Sequence, residues 1–230
     1  TGDEQECQFN NGVVTTPEGF KEAFALYVEG GWNGLPCDAN YGGQELPWLL
    51  ATSVSEIYHA SNLSFMLNPM LTLGAVELLS HHGSEELKAT FLEKLISGVW
   101  TGTMNLTEPQ AGSEAHNLRT RAELRDGQWV INGAKQFVSN GKRAKLAIVF
   151  AVTDPTLGKK GISAFLVPTD TPGFVVDRTE HKMGIRGSAT SVINYDGAKG
   201  FLLGEEHQGL AGMFTMMNYE RLSVGLQGLG

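Results

Sequence analysis

The chain has 230 residues, 41% of them hydrophobic, and a formal net charge of −8. That length suits one large domain or two small ones around an ordinary packed core. The acidic balance and the scattered basic residues argue against a nucleic-acid surface or an anionic membrane as the main partner.

No apolar run reads as long enough to span a bilayer. No signal peptide is visible, because the opening TGDEQECQ is polar and acidic. Cys7 and Cys37 make no CxxC and no zinc spacing. They read as reduced thiols, which places the protein in a reducing, cytoplasmic setting. No initiator Met is present, and Leu222, Leu226 and Leu229 recur at helix spacing at the other end. These features read as a piece of a longer chain.

The first part is helical in pattern. Thr16 is expected to cap a helix that starts at Pro17 and runs to about Gly30. GWNGLPCDANYGGQELP is rich in Gly and Pro and reads as a loop. Pro47 to Ser80 has room for two helices, with a break expected near Pro69. Ser84 is expected to cap a further helix whose apolar face is Leu87, Phe91, Leu92, Leu95 and Ile96.

After Gly98 the pattern changes to short β-rich segments: TGTMNL, LRTRAEL, QWVINGAKQFVS, KLAIVFAV, GISAFLVP, GFVVDR and SVINYDGA. That spacing predicts an antiparallel barrel or sandwich. Helix returns near Gln208. The expected fold class is therefore α+β and multidomain: a helical unit over 1–99, a β unit over 100–204, and the start of a second helical unit over 205–230.

Three stretches could carry chemistry. TEPQAGSE, within MNLTEPQAGSE, is either a plain turn or a cradle of backbone N–H groups and hydroxyls for a planar polar ligand. In WVINGAKQFVSNG, Asn132-Gly133 reads as a hairpin turn. Phe137 and Ser139 would then share one strand face, able to stack on a ring and bond its edge. EHKMGIRGSAT offers His181, Lys182 and Arg186, either as a solvated loop or as contacts to an anion. NGKRAK and LGKKG fail the phosphate-loop spacing, and no metal motif is present.

Taken in order, these stretches resemble the acyl-CoA dehydrogenase family, and the resemblance runs from about residue 17 to the end. The loop GWNGLPCDANYGGQELP, with MNLTEPQAGSE, INGAKQFVSNG, HKMGIRGSATSVINYDGA and MNYERLSVGLQGLG, carries it. The long bacterial branch is the most similar. The resemblance implies FAD-dependent α,β-dehydrogenation of an acyl-CoA thioester. The α-hydrogen leaves as a proton to a carboxylate and the β-hydrogen leaves as hydride to the flavin. Electrons then pass to an electron-transfer flavoprotein, and the complete protein would be a homo-oligomer.

By the same resemblance the flavin would meet Met104, Asn105, Leu106, Thr107, Gly112, Ser113, Phe137, Val138 and Ser139. Met104 departs from the aromatic often found at its position. Ser113 would also touch the pantetheine, and Arg221 would lie near the floor of the site. Phe65, Met66, Pro69 and Leu73 would line a short or narrow acyl pocket. Glu220 occupies the position of the catalytic base in some branches. In the branch resembled here the base lies far downstream, and that downstream Glu is the reading the sequence favours. Read as an ordinary polar residue, Glu220 would be held ionised by Arg221. The alternatives to a dehydrogenase are an acyl-CoA oxidase on the same fold and a scaffold that binds acyl-CoA without turnover.

Overall fold

The computed structural model describes residues 2–229. The chain opens with a short helix, α1 (Gly2–Gln5), and a small hairpin, β1 (Gln8–Asn10) and β2 (Val13–Thr15). Helix α2 (Phe20–Glu29) begins at Phe20 and not at Pro17, so Thr16 caps nothing. The residues between them close a turn instead. Phe20 N–H donates to Pro17 O at 3.3 Å, and Gly19 takes φ 81°, a value open to glycine. Glu18 N–H is meanwhile drawn to Gln5 Oε1 at 2.8 Å.

Helices α3 (Trp48–Ser61) and α4 (Leu63–His82) break at Asn62, not at Pro69. Asn62 is extended, and its side chain accepts the Phe65 N–H at 3.1 Å, an N-cap that restarts the helix. Pro69 lies inside α4. An interior proline costs roughly 3 kcal/mol. Burial outweighs it here, because Met66, Met70, Leu71, Ala75, Leu78 and Leu79 all leave solvent. Ser84 caps α5 (Glu85–Ile96) as expected, accepting Leu87 N–H at 3.3 Å, and the expected apolar face is buried.

The expectation that no apolar run is long enough to span a bilayer does not hold for α4. By length and composition it could cross a membrane. It is apolar all round because it packs on both sides within the protein.

The β region holds β3 (Gly102–Asn105), β4 (Arg121–Arg125), β5 (Gln128–Ser139), β6 (Leu146–Val152), β7 (Ile162–Pro168), β8 (Phe174–Thr179) and β9 (Thr190–Leu203). Strands β6, β4, β5, β9 and β7 pair in turn, and β7 pairs back to β6, so the sheet closes on itself as a barrel. It is not purely antiparallel. β3 runs parallel along β6, and β4 meets β6 in parallel at Arg121 and Val152.

The hairpin expected at Asn132-Gly133 is absent, and β5 runs straight through both residues. The turn lies at Asp126 and Gly127, with φ 50° and 75°, the left-handed pair a two-residue hairpin needs. At Asn132 the pairing with β9 shifts register instead. A Cβ on Gly133 would stand 2.7 Å from Thr120 Cα, so this glycine permits a close backbone approach.

Strand β6 is buried on both faces. Leu146, Ile148 and Phe150 meet the helices, while Ala147, Val149 and Ala151 fill the barrel. Helix α6 (Gly209–Gln227) lies on α4 and β7. Its Leu226 is buried, but Leu222 and Val224 on the same helix and Leu229 after it remain exposed.

Candidate functional site

The turn after β3 is held by a buried ion pair that the sequence reading did not single out. Lys135 on β5 is fully buried, and its Nζ lies 2.8 Å from Glu108 Oε1. The same ammonium donates to Leu106 O at 3.0 Å. Glu108 also accepts from the N–H groups of Arg119 at 2.7 Å and Thr120 at 3.1 Å, and from Gln110 Nε2 at 2.7 Å. Burial works against its charged form. Lys135 and these donors outweigh that and hold the Glu108 carboxyl well below the usual range. Glu108 and Ala111 exchange two backbone bonds of 3.0 Å, which closes the turn.

This turn and the second expected ligand segment are brought side by side. Gln136 N–H donates to Thr107 O at 2.8 Å. Next to that bond, β5 slips register between Lys135 and Val138, and Phe137 takes φ 56°. The bulge throws Phe137 outward, to 59% exposure. Simple strand alternation does not hold here, so Phe137 and Ser139 are not placed by the period-two rule.

Among the expected contacts, Thr107, Gly112, Ser113, Phe137 and Ser139 have side chains or backbone at least partly open. Met104 is half-buried against the helical core. Asn105 and Val138 point their side chains into the barrel. Asn105 Nδ2 donates to Tyr195 OH at 2.8 Å, and Val138 joins the barrel core. Any ligand contact from these two uses their backbone. Leu106 is buried, with its carbonyl taken by Lys135.

Met66, Pro69 and Leu73 from α4 line one narrow cavity with Ala51, Tyr219 and Ser223. Its volume of ≈ 30 Å³ leaves room for a few waters only. Phe65 is not part of it. Its ring packs with Phe20, Phe24 and Tyr27 on the other side of the helix. Glu220 stands one residue from this cavity and faces α4. It is buried, and its Oε1 has no hydrogen-bond partner among the described residues. Loss of solvent pushes its pKa up to about 8. Arg221 does not hold it ionised. That side chain is exposed, bonded to Asn218 Oδ1 at 3.2 Å and lying over Phe214.

Ser113 opens onto a groove shared with His116, Lys159, Lys160, His207 and Phe214. The two lysines come from the GKKG turn, whose spacing does not fit a phosphate loop. The cations of the Gly-rich loop are engaged elsewhere. Lys182 Nζ donates to Ile185 O at 2.6 Å and Ser188 O at 2.7 Å. Arg186 Nη1 pairs with Glu6 at 2.9 Å, and its N–H donates to Asp3. His181 is exposed and lies 3.8 Å from the same Glu6. The N-terminal segment thus engages Arg186 and His181, and Lys182 is tied to carbonyls of its own loop.

Family models agree with this architecture. The acyl-CoA dehydrogenase N-terminal domain matches residues 10–99, and the middle domain matches residues 103–198. A 3-methylmercaptopropionyl-CoA dehydrogenase of Ruegeria pomeroyi is 42% identical over 99% of the chain, which spans 42% of that relative's length. The butyryl-CoA dehydrogenase structure from Megasphaera elsdenii superposes with a TM-score of 0.87 at 31% identity, covering 91% of this chain and 57% of that one. A prolyl acyl carrier protein oxidase, AnaB, superposes with a TM-score of 0.85 at 33% identity, covering 90% and 56%. This chain belongs to the acyl-CoA dehydrogenase family.

Proposed function

We propose that the chain forms the flavin-facing and acyl-facing half of an FAD-dependent acyl-CoA dehydrogenase. The observation that carries this reading is the Gln136–Thr107 hydrogen bond, which sets the turn and the Phe137 bulge side by side. The residues present fit a flavin ring. Apart from Gly112 and its two chain neighbours, no atom lies within 4 Å of where a Gly112 Cβ would stand, so a ligand can approach the backbone there. Phe137 offers an exposed ring, and Thr107 N–H has no protein acceptor among the described residues.

When bound, FAD supplies the hydride acceptor. Thr107, Ser113 and Ser139 offer hydrogen bonds to its edge, and Phe137 offers a stacking face. Ser113 and the Lys159–Lys160 groove suit the polar length of coenzyme A. The α4–α6 cavity suits a short or narrow acyl tail once Met66 and Met70, both flexible, shift.

The α-proton needs a base. The downstream Glu favoured by branch resemblance and Glu220 compete for this role. Burial and an unpaired oxygen put the Glu220 carboxyl where it can exchange a proton from neutral to mildly alkaline pH, with its proton-accepting form populated as pH rises through about 8, so we propose Glu220 for the role. The product would be a 2-enoyl-CoA, and bound FAD would supply the two-electron carrier from which an electron-transfer flavoprotein takes the electrons.

The test is anaerobic addition of short to long acyl-CoAs to the complete FAD-loaded protein. Bleaching of the flavin absorbance is the expected result. No spectral change with any chain length counts against the reading. The likeness to the acyl carrier protein oxidase supports a second reading, electron transfer to oxygen. Stoichiometric peroxide in air decides for it.

A further inference from the structure

We propose that Lys135 and Glu108 are positioning residues for the flavin, with two effects: their ion pair clamps the two flavin segments together, and the Lys135 ammonium, through the Leu106 carbonyl, strengthens the Thr107 N–H as a donor. The inference rests on the FAD reading above.

Stability alone does not account for this pair. Burying two charges has a large desolvation cost, and apolar residues of similar volume often do as well or better. Yet Lys135 is 0% exposed and its partner side chain 2%. The bonding pattern indicates a role in fixing geometry. Glu108 collects four donors, from Lys135, Gln110, Arg119 and Thr120. It thereby gathers the turn, the segment after it and strand β5 at one point. Lys135 stands immediately before the Gln136–Phe137 bulge. The pair therefore fixes where the bulge lies relative to Thr107.

The second effect follows from the peptide group between Leu106 and Thr107. Its carbonyl accepts the Lys135 ammonium at 3.0 Å, while its N–H, on Thr107, has no protein acceptor among the described residues. A charge on the carbonyl end polarises the whole amide, so the N–H end becomes a stronger donor. Reduction places negative charge on the pyrimidine edge of a flavin. Where the Thr107 N–H donates to that edge, a strengthened donor would stabilise the reduced form more than the oxidised form.

The experiment compares wild type with Glu108→Gln/Lys135→Met and with Lys135→Arg, each in the complete protein. The FAD-loaded double variant is expected to shift the reduced-to-oxidised equilibrium at least tenfold toward oxidised, about 30 mV for a two-electron couple. Lys135→Arg keeps the charge and is expected to keep the wild-type potential. With FAD stripped, amide exchange across residues 106–120 is expected to be at least tenfold faster in the double variant. Lys135→Gln serves in its place if the double variant does not fold. An unchanged potential in a folded, FAD-bound variant overturns the polarisation effect. Unchanged exchange overturns the clamp. A wild-type protein that takes up no FAD refutes the flavin reading and the polarisation effect with it, while the exchange measurement still decides the clamp.

Discussion

Gly74 of α4 faces the carboxyl of Glu220 on α6, and a Cβ at position 74 would stand 3.0 Å from Glu220 Oε1. A glycine inside a long helix costs about 1 kcal/mol relative to alanine. Here its lack of a side chain leaves space for a buried carboxyl. Met216 closes the same space, 3.1 Å from the same point. The expected effect of Gly74→Ala is therefore split. Helix propensity favours it, yet the methyl crowds the carboxyl and Met216. We expect a melting temperature within a few degrees of wild type and a flavin-reduction rate at least tenfold lower in the complete enzyme. Stopped-flow reduction by acyl-CoA checks this, and a rate within twofold of wild type argues that Glu220 stands apart from the chemistry.

Glu220→Gln keeps the shape and removes the proton acceptor. If Glu220 is the base, reduction of the bound flavin falls by at least a thousandfold, roughly 4 kcal/mol in the barrier. FAD and acyl-CoA should still bind. If reduction survives within a few-fold, the base is the carboxylate beyond Gly230 that branch resemblance favours.

The same residue makes a prediction about pH. A carboxyl held at about 8 in the folded state binds a proton that the unfolded chain releases near its ordinary value of 4.5. Between those two values the folded state holds more protons than the unfolded state, so stability falls as pH rises. The contribution is complete below about 4.5, is lost progressively up to about 8, and then levels off. Urea titrations of the FAD-free complete protein across this window should show the slope in wild type and lose most of it in Glu220→Gln. Equal slopes in the two proteins would place the carboxyl in solvent.

Much of this was legible in the sequence where one signal dominated. Ser84 with Leu87, Phe91, Leu92, Leu95 and Ile96 gave a cap and a stripe, and both hold. The β segments after Gly98 were visible because turn residues bound them. The misses have a common cause, tertiary contacts that override a local preference. Pro69 should end a helix, but α4 is buried on both sides. Asn132-Gly133 should turn, but Gly133 is needed for the approach of Thr120. Asp126-Gly127, an equally good turn pair, takes the hairpin. The Glu108–Lys135 pair was invisible because its partners lie 27 residues apart, and nothing local marks either as buried. Arg221 beside Glu220 suggested a pair, but adjacent helical residues point about 100° apart.

The last prediction separates the two cationic loops. Sequence reading pointed to His181, Lys182 and Arg186 for anion contact, whereas the structure ties Lys182 to backbone carbonyls and Arg186 to Glu6 and Asp3. Lys159 and Lys160 instead border the groove that Ser113 opens onto, and no carboxylate among the described residues pairs with either. Exposed charges acting on a phosphate-bearing ligand give a modest, salt-screened attraction. Lys159→Gln/Lys160→Gln in the complete enzyme is therefore expected to weaken acyl-CoA binding by about tenfold, roughly 1.4 kcal/mol. The flavin-reduction rate at saturation should stay within twofold. The defect should shrink at high ionic strength and should be smaller for an acyl-pantetheine that lacks the nucleotide phosphates. Arg186→Gln should leave acyl-CoA affinity nearly unchanged while loosening the N-terminal segment, seen as faster amide exchange over residues 3–10. If the lysine pair leaves affinity intact and Arg186→Gln weakens it tenfold, the coenzyme runs along the Gly-rich loop and the groove assignment is wrong.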